Sequence, residues 1–445
     1  MKILFVSLGC DKNLVDSEVM LGLLREGGYS FTDDETEAEV IIINSCCFIQ
    51  DAKEESINTI IQMAELKETG ACKALIVTGC LAQRYREEIK KEIPEVDGIV
   101  GTAAYDEIVS IVNRVLDGEK SEGFKELKRL PQVNAERILT TGGWYGYLKI
   151  AEGCNKNCSY CIIPKIRGPY RSVPMEELVR QAQELADKGI KELILVAQET
   201  TLYGRDLYGE KKLPELLREL CKISGIQWIR ILYCYPEEIT KELVETIKTE
   251  KKICHYLDIP IQHASDHVLK RMGRRTNKEQ LVSMIKYLRQ EIPDIVLRTT
   301  LIAGFPGETE DEHEEVMEFV DEMEFDRLGV FAYSPEEDTK AAEMEDQIPD
   351  DLKEDWREEI MELQQDIAFD KAQEMIGQTL EVLIEGKLAD ENAYMGRTYM
   401  DAPNVDGYVF VNTSEELLSG DFVRVRITGA LEYDLIGEID HEFTK

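Results

Sequence analysis

The chain has 445 residues, 52 basic and 88 acidic, for a formal net charge of −36 at pH 7. That length suggests two to four domains, each with sequence enough for its own core. The acidity excludes a chain-wide phosphate-binding surface and suits a basic protein partner better. Eleven cysteines without an even, closely spaced framework read as reduced thiols in a cytoplasmic protein, because the apolar start is too short for a secretory signal and no run approaches a membrane span.

Residues 2–7 form a β-branched and aromatic run that ends in Leu8-Gly9-Cys10, and helical spacing of apolar residues follows over residues 14–25. Residues 40–44 repeat the arrangement and end in Ser45-Cys46, and residues 74–78 do so again before Gly79-Cys80. Strands alternating with helices predict an open parallel α/β sheet, whose ligands gather beyond the carboxyl ends of the strands. A lone cysteine is usually a small buried hydrophobe. Three repeats of one placement instead suggest that Cys10, Cys46 and Cys80 converge on one metal cluster if their strands are neighbours. Only one of the adjacent Cys46 and Cys47 should reach it, and Cys46 keeps the two-residue step that Cys80 shows.

Residues 117–123 are polar and read as the start of a linker, and the spread of Lys125, Lys128, Arg129 and Arg137 reads as solvated linker charge. A strand-like run over residues 147–151 then leads into Gly153-Cys154-Asn155-Lys156-Asn157-Cys158-Ser159-Tyr160-Cys161. Three thiolates can hold three irons of a four-iron cubane and leave the fourth open to another ligand. Structural zinc prefers four closed ligands, and no fourth cysteine or histidine lies near. The order of gaps, three residues and then two, matches the signature of radical S-adenosylmethionine enzymes. That resemblance implies a cluster whose open iron chelates the methionine end of the cofactor, with electron transfer cleaving it to a deoxyadenosyl radical.

Five further strand-like runs, at residues 192–197, 229–232, 256–259, 296–302 and 327–332, alternate with helical segments and predict a partial (β/α)6 barrel of TIM type. The cysteine motif follows its first strand, on the catalytic face. On the same face, Glu199 follows the second strand and Gly304-Phe305-Pro306-Gly307-Glu308 the fifth. The resemblance implies that Glu199 meets the methionine amine and that the loop of Gly304, Gly307 and Glu308 lies near the adenosyl group. Capping of the next helix explains Glu308 equally well. His263 reads as a general acid or base or, as readily, a structural histidine. Leu352, Trp356, Ile360, Leu363 and Ile367 mark one apolar face of a connecting helix. Beyond Gly377 five short strands predict a small closed antiparallel barrel of the oligonucleotide-binding type. Residues 377–445 carry fourteen acids and five bases, 5 − 14 = −9, the wrong sign for gripping RNA.

Ser7-Leu8-Gly9-Cys10-Asp11-Lys12-Asn13-Leu14-Val15-Asp16-Ser17-Glu18, with the two later cysteines and the radical motif, resembles the methylthiotransferases over essentially the whole chain, most closely their ribosomal-protein branch, known as RimO. Asp11 stands where that branch commonly has Pro, and Cys47 where it commonly has Gly. The resemblance implies a methylthiotransferase domain over residues 1–118, a linker over 119–139, a radical S-adenosylmethionine domain over 140–370 and a TRAM domain over 371–445. It further implies two [4Fe-4S] clusters, S-adenosylmethionine as radical source and methyl donor, an external electron donor, and the β-carbon of an aspartate in ribosomal protein S12 as acceptor. The tRNA adenosine branch, MiaB-like, is the alternative, with tRNA disfavoured by the charge. Removing the C-terminal barrel before Gly377 is expected to leave cofactor cleavage intact, since both cysteine triplets lie upstream.

Overall fold

A computed structural model describes residues 1–131, 136–389 and 392–441. The first sheet has six parallel strands. The three that precede cysteines, Lys2–Ser7, Val40–Ser45 and Ala74–Gly79, lie side by side at its centre. Val40–Ser45 and Ala74–Gly79 are buried along their whole length, which is why their sequence is a continuous apolar run. The stretch read as linker contributes Ser121–Gly123, which extends the sheet edge by pairing with Gly98–Val100. Its three residues carry no β-branched side chain, so neighbour pairing rather than propensity makes it a strand.

The second sheet also has six parallel strands, in chain order from Tyr145–Lys149 to Arg327–Ala332, and does not close on itself. Alternate residues face outward to the surrounding helices, such as Leu193, Leu195, Ile229 and Ile231, and form one large apolar cluster. The helix Asp350–Glu374 joins that cluster through buried Trp356 and Ile360, the face that the apolar spacing predicts. The open side of this half-barrel is met by the first helix, Asp11–Glu26, which packs along the edge strand Tyr145–Lys149.

The five C-terminal strands close into a barrel. It departs from the expected antiparallel pattern at one seam, where Val409–Asn412 and Leu435–Ile439 run parallel. Directions cannot alternate all the way round a closed ring with an odd number of strands, so at least one pair must be parallel. This barrel docks on the amino ends of the central strands, the end opposite the cysteine motif. Trp228, first in its strand, stands edge-on to Phe422 with ring centroids 4.8 Å apart. Arg327, also first in its strand, reaches Asp401 at 3.0 Å through Nε.

Arg137, read as solvated linker charge, is instead buried; it donates to the Tyr147 carbonyl at 2.9 Å and pairs with buried Glu18. Among the described residues no helix is long and apolar enough to cross a membrane.

Candidate active site

Since the three cysteine-bearing strands are neighbours, their carboxyl-end loops meet. Gly9 has φ +87°, and a Cβ placed there would stand 2.7 Å from the Cys46 Cβ, so only glycine lets the first two loops approach this closely. Asn13, fully buried, clips the loops together. Its Nδ2 donates to the carbonyls of Leu8 and Ser45, both at 3.1 Å, and its Oδ1 accepts from the Cys80 thiol at 3.7 Å. Cys46 and Cys80 are each 6 % exposed, and Cys10 lies open at the rim. Cys47 is fully buried and belongs to the apolar cluster beneath, with its carbonyl accepting from Arg84 at 3.4 Å.

The second triplet lies on the loop after Tyr145–Lys149. Cys154 and Cys158 are each 7 % exposed. Asn157 between them adopts φ 54°, and Tyr233 and Gln262, on later loops of the same face, adopt 61° and 75°. Left-handed backbone at non-glycine residues costs about 1–2 kcal/mol each. Such strain gathers where surrounding structure holds a site in place. Tyr160, within the triplet, meets Phe305 edge-on at 6.4 Å, so the loop of Gly304 to Glu308 braces the cysteine loop from behind.

The two glycines of that brace both have positive φ; Gly304 lies against Lys353, and Gly307 sits 2.7 Å, measured from a placed Cβ, from the Arg271 guanidinium carbon. Glu308 is buried, accepts from the Phe305 amide at 2.8 Å and has the His263 Nε2 at 3.1 Å. His263 in turn accepts from the Ser265 amide at 3.0 Å. The bond to the Phe305 amide lets Glu308 fix the loop from within.

Both sets of thiols fit iron–sulfur ligation by donor type. Burial pushes the Cys80 thiol up to about 12 and the Cys154 thiol up to about 11, and it raises Cys46 and Cys161 as well. Such thiols stay protonated until a metal's charge displaces the proton. Among the described residues no three His, Cys, Asp or Glu side chains stand at the spacing of a single metal ion. A cubane is larger than an ion and holds its ligands further apart.

Glu199 supplies a second sign of fit. It is fully buried, one carboxylate oxygen accepts from Thr201 at 3.2 Å, and the other has no hydrogen-bond partner. The Lys156 ammonium is 3.6 Å away, occupied by Glu238 at 2.6 Å and Glu237 at 3.0 Å. Beside this group opens a cavity of about 400 Å³ lined by Asn155, Lys156, Tyr170, Arg205 and Glu238. Burial pushes the Glu199 carboxyl up to about 7 from its ordinary 4.5; Lys156 opposes the rise, while Glu238 and Glu237 add to it. The raised value favours the protonated form in the fold, so its contribution to stability is complete below pH 4.5 and is lost as pH rises through about 7. A ligand amine that donates to this oxygen is held best by the ionised form. Its affinity should therefore rise across that window and level above it, with proton release at the lower end. Calorimetric titration with S-adenosylmethionine between pH 6 and pH 8, in buffers of different ionisation enthalpy, checks this; affinity without pH dependence would remove Glu199 from the amine site.

A buried charge cluster joins the two cysteine regions, and sequence reasoning missed it. Arg167, 2 % exposed, pairs through Nη1 with Asp16 at 2.7 Å and Glu152 at 3.2 Å, and its Nη2 donates to Asn13 and reaches the Cys80 Sγ at 3.5 Å. Lys149 bridges the same two acids. Glu152 accepts from Gln198 at 3.1 Å, and Gln198 accepts from the Gly153 amide at 2.8 Å, next to Cys154.

Three family descriptions match in series: Uncharacterized protein family UPF0004 over residues 2–101, the Radical SAM superfamily over 148–320, and the TRAM domain over 376–439. Among solved structures, the radical S-adenosylmethionine methyltransferase TsrM from Kitasatospora setae shares the fold at 13 % identity, with a TM-score of 0.55 over 75 % of this chain and 76 % of that one. Among curated relatives, the protein named ribosomal protein uS12 methylthiotransferase RimO from Lachnoclostridium phytofermentans is 64 % identical, covering 98 % of this chain and 99 % of that one. Proteins of the same name from Acetivibrio thermocellus and Clostridioides difficile are 51 % and 50 % identical over 100 % and 99 % of the chain, and over 99 % of their own lengths. With relatives this similar from end to end, the chain belongs to the RimO family of ribosomal protein uS12 methylthiotransferases, built on the radical SAM fold.

Proposed function

We propose that this protein inserts a methylthio group at the β-carbon of an aspartate of ribosomal protein uS12, in the cytoplasm, with S-adenosylmethionine as radical source and methyl donor. The observation that carries the reading is the pairing of two cysteine triplets on adjoining carboxyl-end loops, in a chain 50–64 % identical over nearly its whole length to proteins bearing that name. Cys154, Cys158 and Cys161 would hold one [4Fe-4S] cluster, and Cys10, Cys46 and Cys80 a second. Bound there, cluster and cofactor supply a carbon radical able to break an unactivated C–H bond, which no acid–base side chain can do.

The chain's own residues bind, orient and exclude water. Glu199 accepts from the cofactor's amine on its unpartnered oxygen, and Gly304, Gly307 and Glu308 shape the loop beside the cofactor and brace Tyr160. Asn13 holds the three N-terminal thiols on one side of the space, and the helix Asp11–Glu26 covers the open edge of the half-barrel against solvent. Residues 1–118 and 140–370 thereby act as one catalytic unit, with Ser121–Gly123 of the segment between them built into the first sheet and 371–445 mounted at the far end. The electron comes from a donor outside the chain.

Anaerobic reconstitution should give about eight irons per chain. Replacing Cys154, Cys158 and Cys161 by Ala should halve this and abolish cofactor cleavage, while Cys46→Ala should lose the other half and Cys47→Ala should not. Mass spectrometry of uS12 after turnover should show a methylthio addition on aspartate. Modification of tRNA adenosine with uS12 untouched would overturn the acceptor and leave the chemistry standing.

A further inference from the structure

We infer that Arg167 is the positioning residue through which the radical-generating loop sets the reduction potential of the N-terminal cluster, by donating an N–H to the Cys80 sulfur. The inference rests on the ligand set just proposed and adds a residue outside both cysteine triplets. Arg167 is the last residue of the short helix Ile163–Arg167, six residues beyond Cys161, yet its guanidinium crosses to the other domain and reaches the Cys80 Sγ at 3.5 Å. No other arginine or lysine makes a side-chain hydrogen bond to a ligand thiol among the described residues.

Three features make this contact more than packing. The side chain is 2 % exposed, so its field at the sulfur is little screened by water. Its orientation is over-determined: Nη1 is pinned by Asp16 and Glu152, which leaves Nη2 aimed at Asn13 and Cys80. The planar fork suits this double duty, since one nitrogen can hold carboxylates while the other faces a sulfur. The third feature is continuity. Glu152, Gln198 and the Gly153 amide connect the guanidinium to the first cysteine of the radical motif, so a shift of that loop is felt at Cys80.

Hydrogen bonds and positive charge at a ligating sulfur stabilise the reduced cluster, which carries one more electron, and so raise its potential. Asp16 and Glu152 are partly balanced by Lys149, so removing the Arg167 charge would leave the cluster beside two carboxylates and one cation.

The test uses the full chain with Cys154, Cys158 and Cys161 replaced by Ala, leaving the N-terminal cluster alone. Its midpoint potential is read by electron paramagnetic resonance during a dithionite titration. Arg167→Lys, which keeps a cation for Asp16 and Glu152 but lacks the second nitrogen, should lower the potential at unchanged iron content. Arg167→Gln should lower it further. Arg171→Gln is the control: it removes a charge from the same cluster, but that buried arginine donates to the carbonyls of Arg167 and Pro169 and makes no hydrogen bond to a thiol among the described residues, so the potential should shift less than in Arg167→Gln. Unchanged potentials in both Arg167 variants, with about four irons bound, would overturn the inference while the ligand assignment stands. Equal shifts in Arg167→Gln and Arg171→Gln would also overturn it, by reducing the effect to general charge. Failure of the parent to bind iron would instead sink the ligand assignment, and the inference with it.

Discussion

Arg397→Met should destabilise the protein by about 3–5 kcal/mol, the cost of breaking a buried ion pair from one side. Arg397 lies on a strand of the C-terminal barrel and is fully buried, as are Glu192 and Arg230 of the central sheet. Its Nη2 donates to Glu192 at 2.7 Å and its Nε to Glu385 at 2.6 Å, while Arg230 holds the other Glu192 oxygen at 2.7 Å and the Tyr399 carbonyl at 2.7 Å. Glu192 thus has one oxygen for each arginine. Burial pushes its carboxyl up, but Arg397 and Arg230 outweigh burial and hold it below its ordinary 4.5. Stability from this group is therefore complete above pH 4.5 and is lost as pH falls below it. The substitution leaves one Glu192 oxygen and the Glu385 carboxylate without their Arg397 donors, two carboxylates against the single Arg230 cation in a buried site. Denaturant unfolding of the variant and parent at pH 7 and pH 4 measures the loss, which should shrink at the lower pH. Adding Glu192→Gln to Arg397→Met should recover part of it, because the excess of carboxylate over cation is gone.

The same network bears on the expectation that removing the C-terminal barrel before Gly377 leaves cofactor cleavage intact. Truncation would strip Arg397, the Thr398 and Tyr399 carbonyls and Asp401 from Glu192, Arg230 and Arg327, and expose the apolar layer around Trp228 and Tyr256. The chain order of the cysteines places both triplets upstream of the barrel and carries no sign of the charged and apolar contacts by which the barrel holds the central sheet.

What was legible follows from the kind of signal each feature leaves. The three strand-then-cysteine repeats, the six alternating units and the five short C-terminal strands all write periodicity into the chain, so the sheets and the loops carrying Cys10, Cys46, Cys80 and Cys154 could be placed. Buried polar groups write none. Asn13, Asp16, Ser17 and Glu18 look like the solvated face of the helix Asp11–Glu26, yet all four are buried against Asn44, Lys149, Arg167 and Arg137. Long-range pairing of this sort is decided by tertiary packing, as is the strand Ser121–Gly123. Arg137 and Lys156 were unreadable for the same reason: a charged residue in a polar stretch gives no hint that three acids or a backbone carbonyl wait for it.

Substrate choice should follow the charge of the C-terminal barrel. Residues 377–445 carry nine more acids than bases, 14 − 5 = 9. Not all of those acids are available for recognition. Asp421 accepts from the Leu418 amide at 2.8 Å and Asp434 from the Tyr408 amide at 2.7 Å, so both shape turns, whereas Glu415, Glu416 and Glu432 are exposed without backbone partners among the described residues. Reversing Glu415, Glu416 and Glu432 to Lys changes the charge by six units on an exposed surface and leaves the turns intact. On this charge a basic ribosomal protein should be drawn to the parent surface and tRNA repelled, over a range set by a Debye length of about 10 Å at 0.1 M salt. The triple variant should therefore associate with uS12 roughly tenfold more slowly at low ionic strength, with the difference closing as salt rises. Its affinity for tRNA should increase under the same conditions. Cofactor cleavage without acceptor should be unchanged, since none of the three residues touches the central sheet's cysteine face. Stopped-flow association with uS12 across a salt series reads the effect. A rate that stays at the parent value at low salt would show that the acidic barrel serves solubility alone, and that uS12 is recognised at the cysteine-bearing end.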